Sequence, residues 1–269
     1  MRRTVWRPVY LAIGFLFLYL PLLMVVLYSF STSKISGVMT GFTLDWYTKL
    51  LKDAAIGKAL RASLGVAGWS CALAAVFGTL GAVGMAQARF HGHGMLEGVT
   101  ALPIMLPEVI LGMSLMATFS FTKIPFGRVT LVIAHTTFCI PYVFILVKGR
   151  LAGLDPGYVE AARDLGARPA RAFFTVTLPL ILPAVFSGML LSLAMSFDDV
   201  IISMFVNGAE TTTLPLKIYS SLKAGVTPEI NALCTLILGV ISIAVVASQL
   251  LRGRRSTQTQ QVEVDTHAI

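Results

Sequence analysis

The stretch Pro179–Val206, PLILPAVFSGMLLSLAMSFDDVIISMFV, indicates the class of fold to which this chain belongs. Its only charged side chains are Asp198 and Asp199, and about 20 apolar residues are enough for an α-helix to cross a bilayer. Similar runs recur along the chain. Together they predict an all-α, polytopic membrane protein with six transmembrane helices, at about 9–30, 60–86, 99–121, 129–147, 179–206 and 229–251.

The composition agrees with this class. Of the 269 residues, 56% are hydrophobic and 13% are charged, and the mean hydropathy is +0.80. A soluble domain carries about 25% charged residues, so the shortage of charge argues against a disordered chain and against a soluble enzyme. Cys71, Cys139 and Cys234 lie inside apolar runs, and we interpret them as packing residues rather than disulfide partners.

The net charge of +8 reflects orientation in a bilayer rather than binding to nucleic acid, because the basic residues flank the apolar runs. A cluster of basic residues lies within 148–171. Two further groups lie at the ends of the chain: Arg2, Arg3 and Arg7, and Arg252, Arg254 and Arg255. The positive-inside rule therefore predicts both termini inside, a transmembrane domain over 1–251, and a polar cytoplasmic tail over 252–269 that we expect to be disordered.

The predicted cytoplasmic loop at 148–178 contains the signals of a short helix. Asp155 is a good N-cap, Pro156 suits the first helical position, and Gly166 suits the left-handed residue that ends a helix. The surface of such a helix carries two acids one turn apart and two small residues: Glu160, Asp164, Ala161 and Ala162. This pattern fits a knob that docks in a groove of another protein, and a solvated loop is an equal alternative.

The same loop resembles the EAA-loop signature of ABC importer permease subunits. Glu160-Ala161-Ala162 is followed after three residues by Gly166, and after nine more by Val176-Thr177-Leu178-Pro179. The signature is long and its spacing is specific, and its one departure here is Val176, where isoleucine is frequent. The resemblance extends over the six-span pattern and implies the type I ABC importer permease fold, with both termini inside.

That resemblance also implies partners. Residues 155–168 would form the coupling helix that docks on a cytoplasmic ATPase, and two copies of the ATPase would bind ATP and Mg²⁺. A second, homologous permease subunit and a periplasmic or extracellular substrate-binding protein would complete a transporter in the bacterial inner (plasma) membrane. This chain would itself contact membrane lipid, hold no cofactor and bind no nucleic acid.

Shorter stretches resemble the polyamine branch of the family, namely Phe197–Ser203, Thr213–Pro215 and Gly225–Leu233. Two others, Tyr28–Lys34 and His135–Cys139, resemble the putrescine-system permease in particular. The resemblance therefore implies import of putrescine, spermidine or both, and the choice between the two solutes stays open.

Acids within the predicted spans are the candidate pathway residues, because an ionisable group in a bilayer is costly and usually faces a cavity or a partner. Glu108 follows Pro107 in the third span, and a continuous helix entering at residue 99 would place it roughly 14 Å deep, near the midplane. Asp198 and Asp199 lie in the outer part of the fifth span. Asp198 points about 100° away from Asp199 on a continuous helix.

The fifth span also carries a polar stripe at helical spacing: Ser192, Ser196, Asp199, Ser203 and Asn207. We interpret the stripe as the lining of a pathway that includes Ser196, Asp199 and Ser203, with helix–helix hydrogen bonding as the alternative. Carboxylates suit a cationic solute. Trp46, in the first outer loop, could add a cation–π contact, and an interfacial anchor is the alternative.

Several functions compete at this stage. No G-x-x-x-x-G-K-[ST] motif occurs, so the chain cannot bind ATP by a P-loop, and the histidines show no convincing metal-ligand spacing. The first hypothesis is the permease subunit of an ATP-driven polyamine importer. The second is a self-sufficient, cation-coupled secondary carrier, and the third is a membrane enzyme that uses Asp198 and Asp199 as an acid pair. The signature at 155–179 favours the first hypothesis.

Overall fold

The structure is a computed structural model that describes the backbone of residues 6–33, 38–87 and 91–266, with side chains at these positions except 7, 224, 248 and 250–266. Its elements are α1 (Trp6–Tyr28), α2 (Asp45–Lys52), α3 (Ala54–Gln87), α4 (His93–Met105), α5 (Glu108–Phe121), α6 (Arg128–Ala152), α7 (Gly157–Asp164), α8 (Pro169–Ala172), α9 (Leu178–Asp198), α10 (Ile201–Val206), α11 (Leu214–Ala224) and α12 (Pro228–Thr266). A π-helical segment, Phe173–Thr177, joins α8 to α9.

The predicted all-α fold is confirmed, with five or six apolar candidate spans. Five helical segments are long and apolar enough to cross a membrane, and α4 with α5 makes a sixth if that bent pair is a single span. The five segments are Pro8–Tyr28, Ala54–Gln87, Arg128–Ala152, Pro169–Asp198 and Pro228–Ala247. The tail is predicted from its sequence to be disordered, but the helical backbone of α12 continues to Thr266. Residues 252–266 contain no proline, and after Gly253 no glycine, so they lack the two residues that most disfavour a helix.

The third predicted span is broken rather than continuous. The axes of α4 and α5 meet at 106°, and Leu106 between them is extended, with ψ 139°. Pro107 explains the break, because proline has no N–H to donate and disfavours a helical residue before it. The predicted depth of Glu108 assumed one straight helix from residue 99, and the bend removes that basis.

The fifth predicted span is also broken, near its outer end. The helix α9 ends at Asp198, Asp199 is extended with ψ 127°, and α10 begins at Ile201. Consequently the polar stripe runs across two helices, and the 100° offset expected between Asp198 and Asp199 does not apply.

Residues 54–219 form one compact unit, and the described residues of 1–53 and 220–266 belong to another. In the first unit α3, α6 and α9 pack around Val143, which is fully buried. A methyl group at Gly78 would lie 2.8 Å from Val143 Cβ, and one at Gly188 would lie 2.9 Å from Val143 Cα. These two glycines therefore allow the three helices to approach closely. In the second unit α12 packs against α1 and α2.

Candidate functional site

A small cleft lies where the two broken spans meet. Its volume is about 60 Å³, several times the roughly 10–15 Å³ that a single water needs. The lining comes from both sides of each break and from α6: Pro103, Ile104, Leu106, Glu108, Leu111, Phe138, Tyr142, Met195, Asp199 and Ile202. The fold therefore brings together Glu108 and Asp199, which are 91 positions apart in the chain.

Glu108 is the first residue of α5 and is exposed. It stands there because the break at Pro107 starts a new helix, and a carboxylate is favourable in the first turn of a helix. No described group is bonded to the carboxylate of Glu108, in contrast to the acids of the ion pairs His135–Asp199 and Lys148–Glu97. This acid is therefore available to a cation that enters the cleft.

Asp199 is held much more firmly. Its residue is 9% exposed, and its Oδ1 and Oδ2 accept hydrogen bonds from the backbone N–H groups of Ile202 (3.1 Å) and Ser203 (2.8 Å). These N–H groups belong to the first turn of α10 and have no partner within the helix. Asp199 thus caps α10 and, at the same time, contributes to the wall of the cleft.

Behind Asp199 lies the buried imidazole of His135, on α6. Its Nδ1 is 2.7 Å from Ser196 Oγ, and its Nε2 is 3.0 Å from Ser203 Oγ. The same Nε2 is 3.4 Å from Asp199 Oδ2. The single imidazole therefore connects α9, the break and α10. Sequence analysis assigned this histidine no role in the pathway, because its partners lie more than 60 positions away in the chain.

The residues of the fifth span that were predicted to line the pathway occupy different environments. Ser196 and Ser203 are buried and contact His135. Ser192, further back in the stripe, donates to the backbone oxygen of Cys139 (3.3 Å). Asp198 is exposed, and no described residue bonds to its side chain. The inner part of the stripe thus makes helix–helix hydrogen bonds, while Asp199 alone of these residues lines the cleft.

Two aromatic residues of the cleft, Phe138 and Tyr142, escaped sequence analysis. They follow His135 at steps of three and four along α6, which places all three on one helical face. The rings of His135 and Phe138 are 5.3 Å apart. An aromatic wall of this kind can contact the methylenes or the charge of an ammonium compound.

Trp46 belongs to the other unit, on α2, and is half-buried. Its indole N–H donates to the backbone oxygen of Ser31 (2.7 Å). The ammonium of Lys49 lies 4.6 Å from the centre of the ring. The indole therefore already makes one cation–π contact within its own loop, and a role toward solute remains a prediction.

The helix predicted in the loop at 148–178 is present as α7. Asp155 Oδ1 accepts the N–H of Gly157 (2.9 Å), and Gly166 has φ +86°. The N–H of Gly166 donates to Arg163 (2.8 Å) and that of Ala167 to Ala162 (3.0 Å), which is the Schellman pattern of a helix end. Both predicted ends of the helix are confirmed to within one residue.

The surface of α7 combines charge with apolar groups. Glu160, Ala161 and Asp164 are exposed, and Ala162 is half-buried. Sequence analysis missed two exposed apolar residues beside them, Leu165 at 89% and Tyr158 at 58%. Exposed apolar side chains on a polar loop are typical of a surface that contacts another protein.

A continuous helical stretch, made of α8, the π-helical segment and α9, connects this loop to the cleft. It runs for 30 residues, from Pro169 to Asp198, and so spans about 45 Å at 1.5 Å per residue. It begins three residues after Gly166 and ends at the break that holds Asp199. The loop that contains α7 and the cleft at Asp199 therefore lie at opposite ends of this helical stretch.

Comparison with known proteins places the chain in a family. Residues 76–257 match the family described as binding-protein-dependent transport system inner membrane component. The putrescine transport system permease protein PotI of Escherichia coli (strain K12) is 42% identical over 263 residues, which cover 95% of this chain and 94% of that protein. The spermidine/putrescine transport system permease protein PotC of Haemophilus influenzae is 38% identical over 257 residues, covering 95% and 100%.

Solved structures agree on the fold. A chain of a bacterial ABC transporter involved in the import of the acidic polysaccharide alginate is similar with a TM-score of 0.71 at 16% identity, over 92% of this chain and 94% of that one. A chain of the alginate transporter in complex with a pentasaccharide-bound periplasmic protein gives 0.68 at 15% identity, over 90% and 91%.

The apolar spans, the loop signature and the matched family lead to one conclusion. The family match covers more than half of the chain, and the relatives align along nearly all of it. The chain is a multi-pass inner-membrane protein with the fold of an ABC importer permease, and it belongs to the family of binding-protein-dependent transport system inner membrane components.

Proposed function

We propose that this chain is the permease subunit of an ATP-driven importer of polyamines, putrescine or spermidine or both, and that it forms half of the translocation pathway. The relatives named as putrescine and spermidine/putrescine permeases support this solute class. The acids of the cleft support it independently, because a carboxylate attracts an ammonium group and repels an anion.

The observation that carries the proposal is the meeting of Glu108 and Asp199 in one cleft at two helix breaks. Backbone outside helices is tolerated at membrane depth only where it is buried in protein or lines a cavity. Broken helices form the solute sites of many transporters for that reason. The cleft volume of about 60 Å³ suits one ammonium terminus, and the apolar residues beside it suit the methylenes of a polyamine.

We infer that α7 docks on a cytoplasmic ATPase. Glu160 and Asp164 would offer charge to the groove of the ATPase, and the exposed Leu165 would offer apolar contact. Displacement of the loop would pass along the helical stretch from Pro169 to Asp198, because this stretch joins the loop to the break at Asp199. That displacement would move the break at Asp199 relative to Glu108, which lies on a different helix.

The proposed transporter contains further subunits. A second, homologous permease would supply the other half of the pathway, and two copies of the ATPase would bind and hydrolyse ATP with Mg²⁺. A periplasmic or extracellular binding protein would deliver the polyamine. Both termini of this chain would be cytoplasmic. Access to the cleft would then alternate between the outside and the cytoplasm with each ATPase cycle.

The test is uptake of labelled putrescine and spermidine by the complete transporter in proteoliposomes, measured together with ATP hydrolysis. Glu108→Gln keeps the size of the side chain and removes its charge. A charge-assisted hydrogen bond contributes about 1.5–3 kcal/mol, so uptake should fall by about tenfold or more at 1.4 kcal/mol per decade. The matched control is Glu210→Gln, since Glu210 is an exposed acid that does not line the cleft.

Two results would contradict the proposal. Uptake that continues without the ATPase and follows an ion gradient would indicate a secondary carrier. Full uptake by the Glu108→Gln transporter would exclude the cleft as the route of the cation, although the ATP-driven permease could still stand.

A further inference from the structure

We propose that His135 is a positioning residue of the solute path, which fixes the carboxylate of Asp199 at the wall of the cleft. The inference deepens the proposed function and rests on it. Three contacts of one buried imidazole carry the inference, to Ser196, to Ser203 and to Asp199 itself.

The first step is the position of the imidazole. Ser196 lies on α9, before the break, and Ser203 lies on α10, after it. Because the two ring nitrogens point in different directions, His135 joins both sides of the break at 2.7 and 3.0 Å. A serine hydroxyl can donate or accept, so both serine contacts can form with the proton on Nε2, the tautomer in which this nitrogen also presents N–H to Asp199 Oδ2.

The second step is the effect on Asp199. One of its oxygens accepts from Ile202 N–H, and the other accepts from Ser203 N–H and approaches His135 Nε2. These contacts all come from groups of the protein, and the same residue also lines the cleft. With its rotation blocked, the carboxylate presents one fixed edge to a cation, and preorganisation of this kind reduces the entropy lost on binding.

The third step distinguishes the two acids. Glu108 has no described partner and can follow a moving ammonium group, while the carboxylate of Asp199 is fixed by three groups, namely two backbone N–H groups and the imidazole. A solute that passes from Glu108 to Asp199 is retained only while the carboxylate of Asp199 keeps its fixed orientation. His135 therefore determines how well a polyamine is retained during the change of access, rather than whether it enters.

The experiment uses the complete transporter in proteoliposomes with saturating putrescine-loaded binding protein. The measured quantity is putrescine taken up per ATP hydrolysed. His135→Leu should lower this ratio by about tenfold, the factor that 1.4 kcal/mol represents, while ATP hydrolysis stays within about twofold of the unmodified complex. Thr137→Ala is the control, because Thr137 lies on the same helix and bonds only to Ile133 of its own turn (2.9 Å).

A double variant separates positioning from general packing. If His135 acts through Asp199, then His135→Leu combined with Asp199→Asn should lose no more than the worse single variant. Multiplied losses would overturn the inference, and so would an unchanged ratio in His135→Leu. A parallel fall in uptake and ATP hydrolysis would show a structural role alone and would also overturn it.

If His135→Leu does not assemble, Ser196→Ala and Ser203→Ala carry the same test. Each removes one contact of the ring, and each should lower the ratio by about fivefold, as expected for one hydrogen bond of about 1 kcal/mol. The Glu108→Gln variant keeps this inference separate from the proposed function. Full uptake in Glu108→Gln rejects the cleft as the path, whereas normal coupling in the His135 and serine variants with a defective Glu108→Gln rejects only the role of His135.

Discussion

Gly166 offers a direct test of the proposed coupling between the loop at 148–178 and transport. Its φ of +86° lies in the left-handed region, where an L-residue with a side chain costs about 1–2 kcal/mol. A methyl group at this position would meet no atom within 4 Å. The whole effect of a substitution should therefore come from the backbone conformation and not from crowding.

Because only the backbone conformation matters, the energetic cost of substituting Gly166 should increase from asparagine to alanine to valine. Gly166→Asn should be mild, because asparagine tolerates the left-handed region. Gly166→Ala should cost about 1 kcal/mol, and Gly166→Val should cost more because its side chain is branched at Cβ. In the last variant the turn after α7 should open, and the bond from Ala167 N–H to the carbonyl of Ala162 should be lost.

The assay is the affinity between the purified permease complex and its ATPase, followed by polyamine-stimulated ATP hydrolysis. A cost of about 2 kcal/mol predicts roughly thirtyfold weaker docking at 1.4 kcal/mol per decade. The amount of permease in the membrane should not change, because Gly166 is exposed and packs against nothing. Equal docking by the asparagine, alanine and valine variants would refute the link between the left-handed turn and coupling.

Two further predictions concern packing and topology. Gly188→Ala should lower the free energy of unfolding by about 1–3 kcal/mol in detergent denaturation, because its methyl group would lie 2.9 Å from Val143 Cα. The neutral control is Gly84→Ala, whose methyl group would meet no atom within 4 Å. Equal stability of the two variants would contradict the packing argument. In a cysteine-free chain, Ala152→Cys should react with an impermeant reagent only from the cytoplasm and Glu210→Cys only from outside. The reverse pattern would overturn the orientation.

The features predicted most closely from the sequence are those that depend on neighbouring residues. The ends of α7 follow from Asp155, which accepts the N–H of Gly157, and from Gly166, whose lack of Cβ permits the left-handed turn. Both signals act over one or two turns, so no knowledge of distant contacts is needed. The apolar spans are also predictable from local sequence, because the length of an apolar run, compared with the thickness of the bilayer, indicates whether it can cross.

The two breaks could not be predicted in the same way. Proline is a weak signal inside a membrane helix, since four described helices contain one without a comparable break: Pro21, Pro103, Pro141 and Pro183. The break at Asp199 contains no proline or glycine at all. It depends on a side chain that competes for backbone N–H groups and on His135, which is 64 positions away.

The two breaks nevertheless satisfy one physical requirement by different means. A backbone group without a hydrogen bond is costly in an apolar surrounding. At Pro107 the chain removes the donor, and at Asp199 it provides an acceptor for the N–H groups of Ile202 and Ser203. Each solution leaves an acid at the start of a new helix, Glu108 in one case and Asp199 in the other. In both cases an acid lies beside the break and lines the cleft, although only the carboxylate of Asp199 stabilises its own break. For that reason the position of the break indicates the cleft more directly than a polar stripe on a continuous helix.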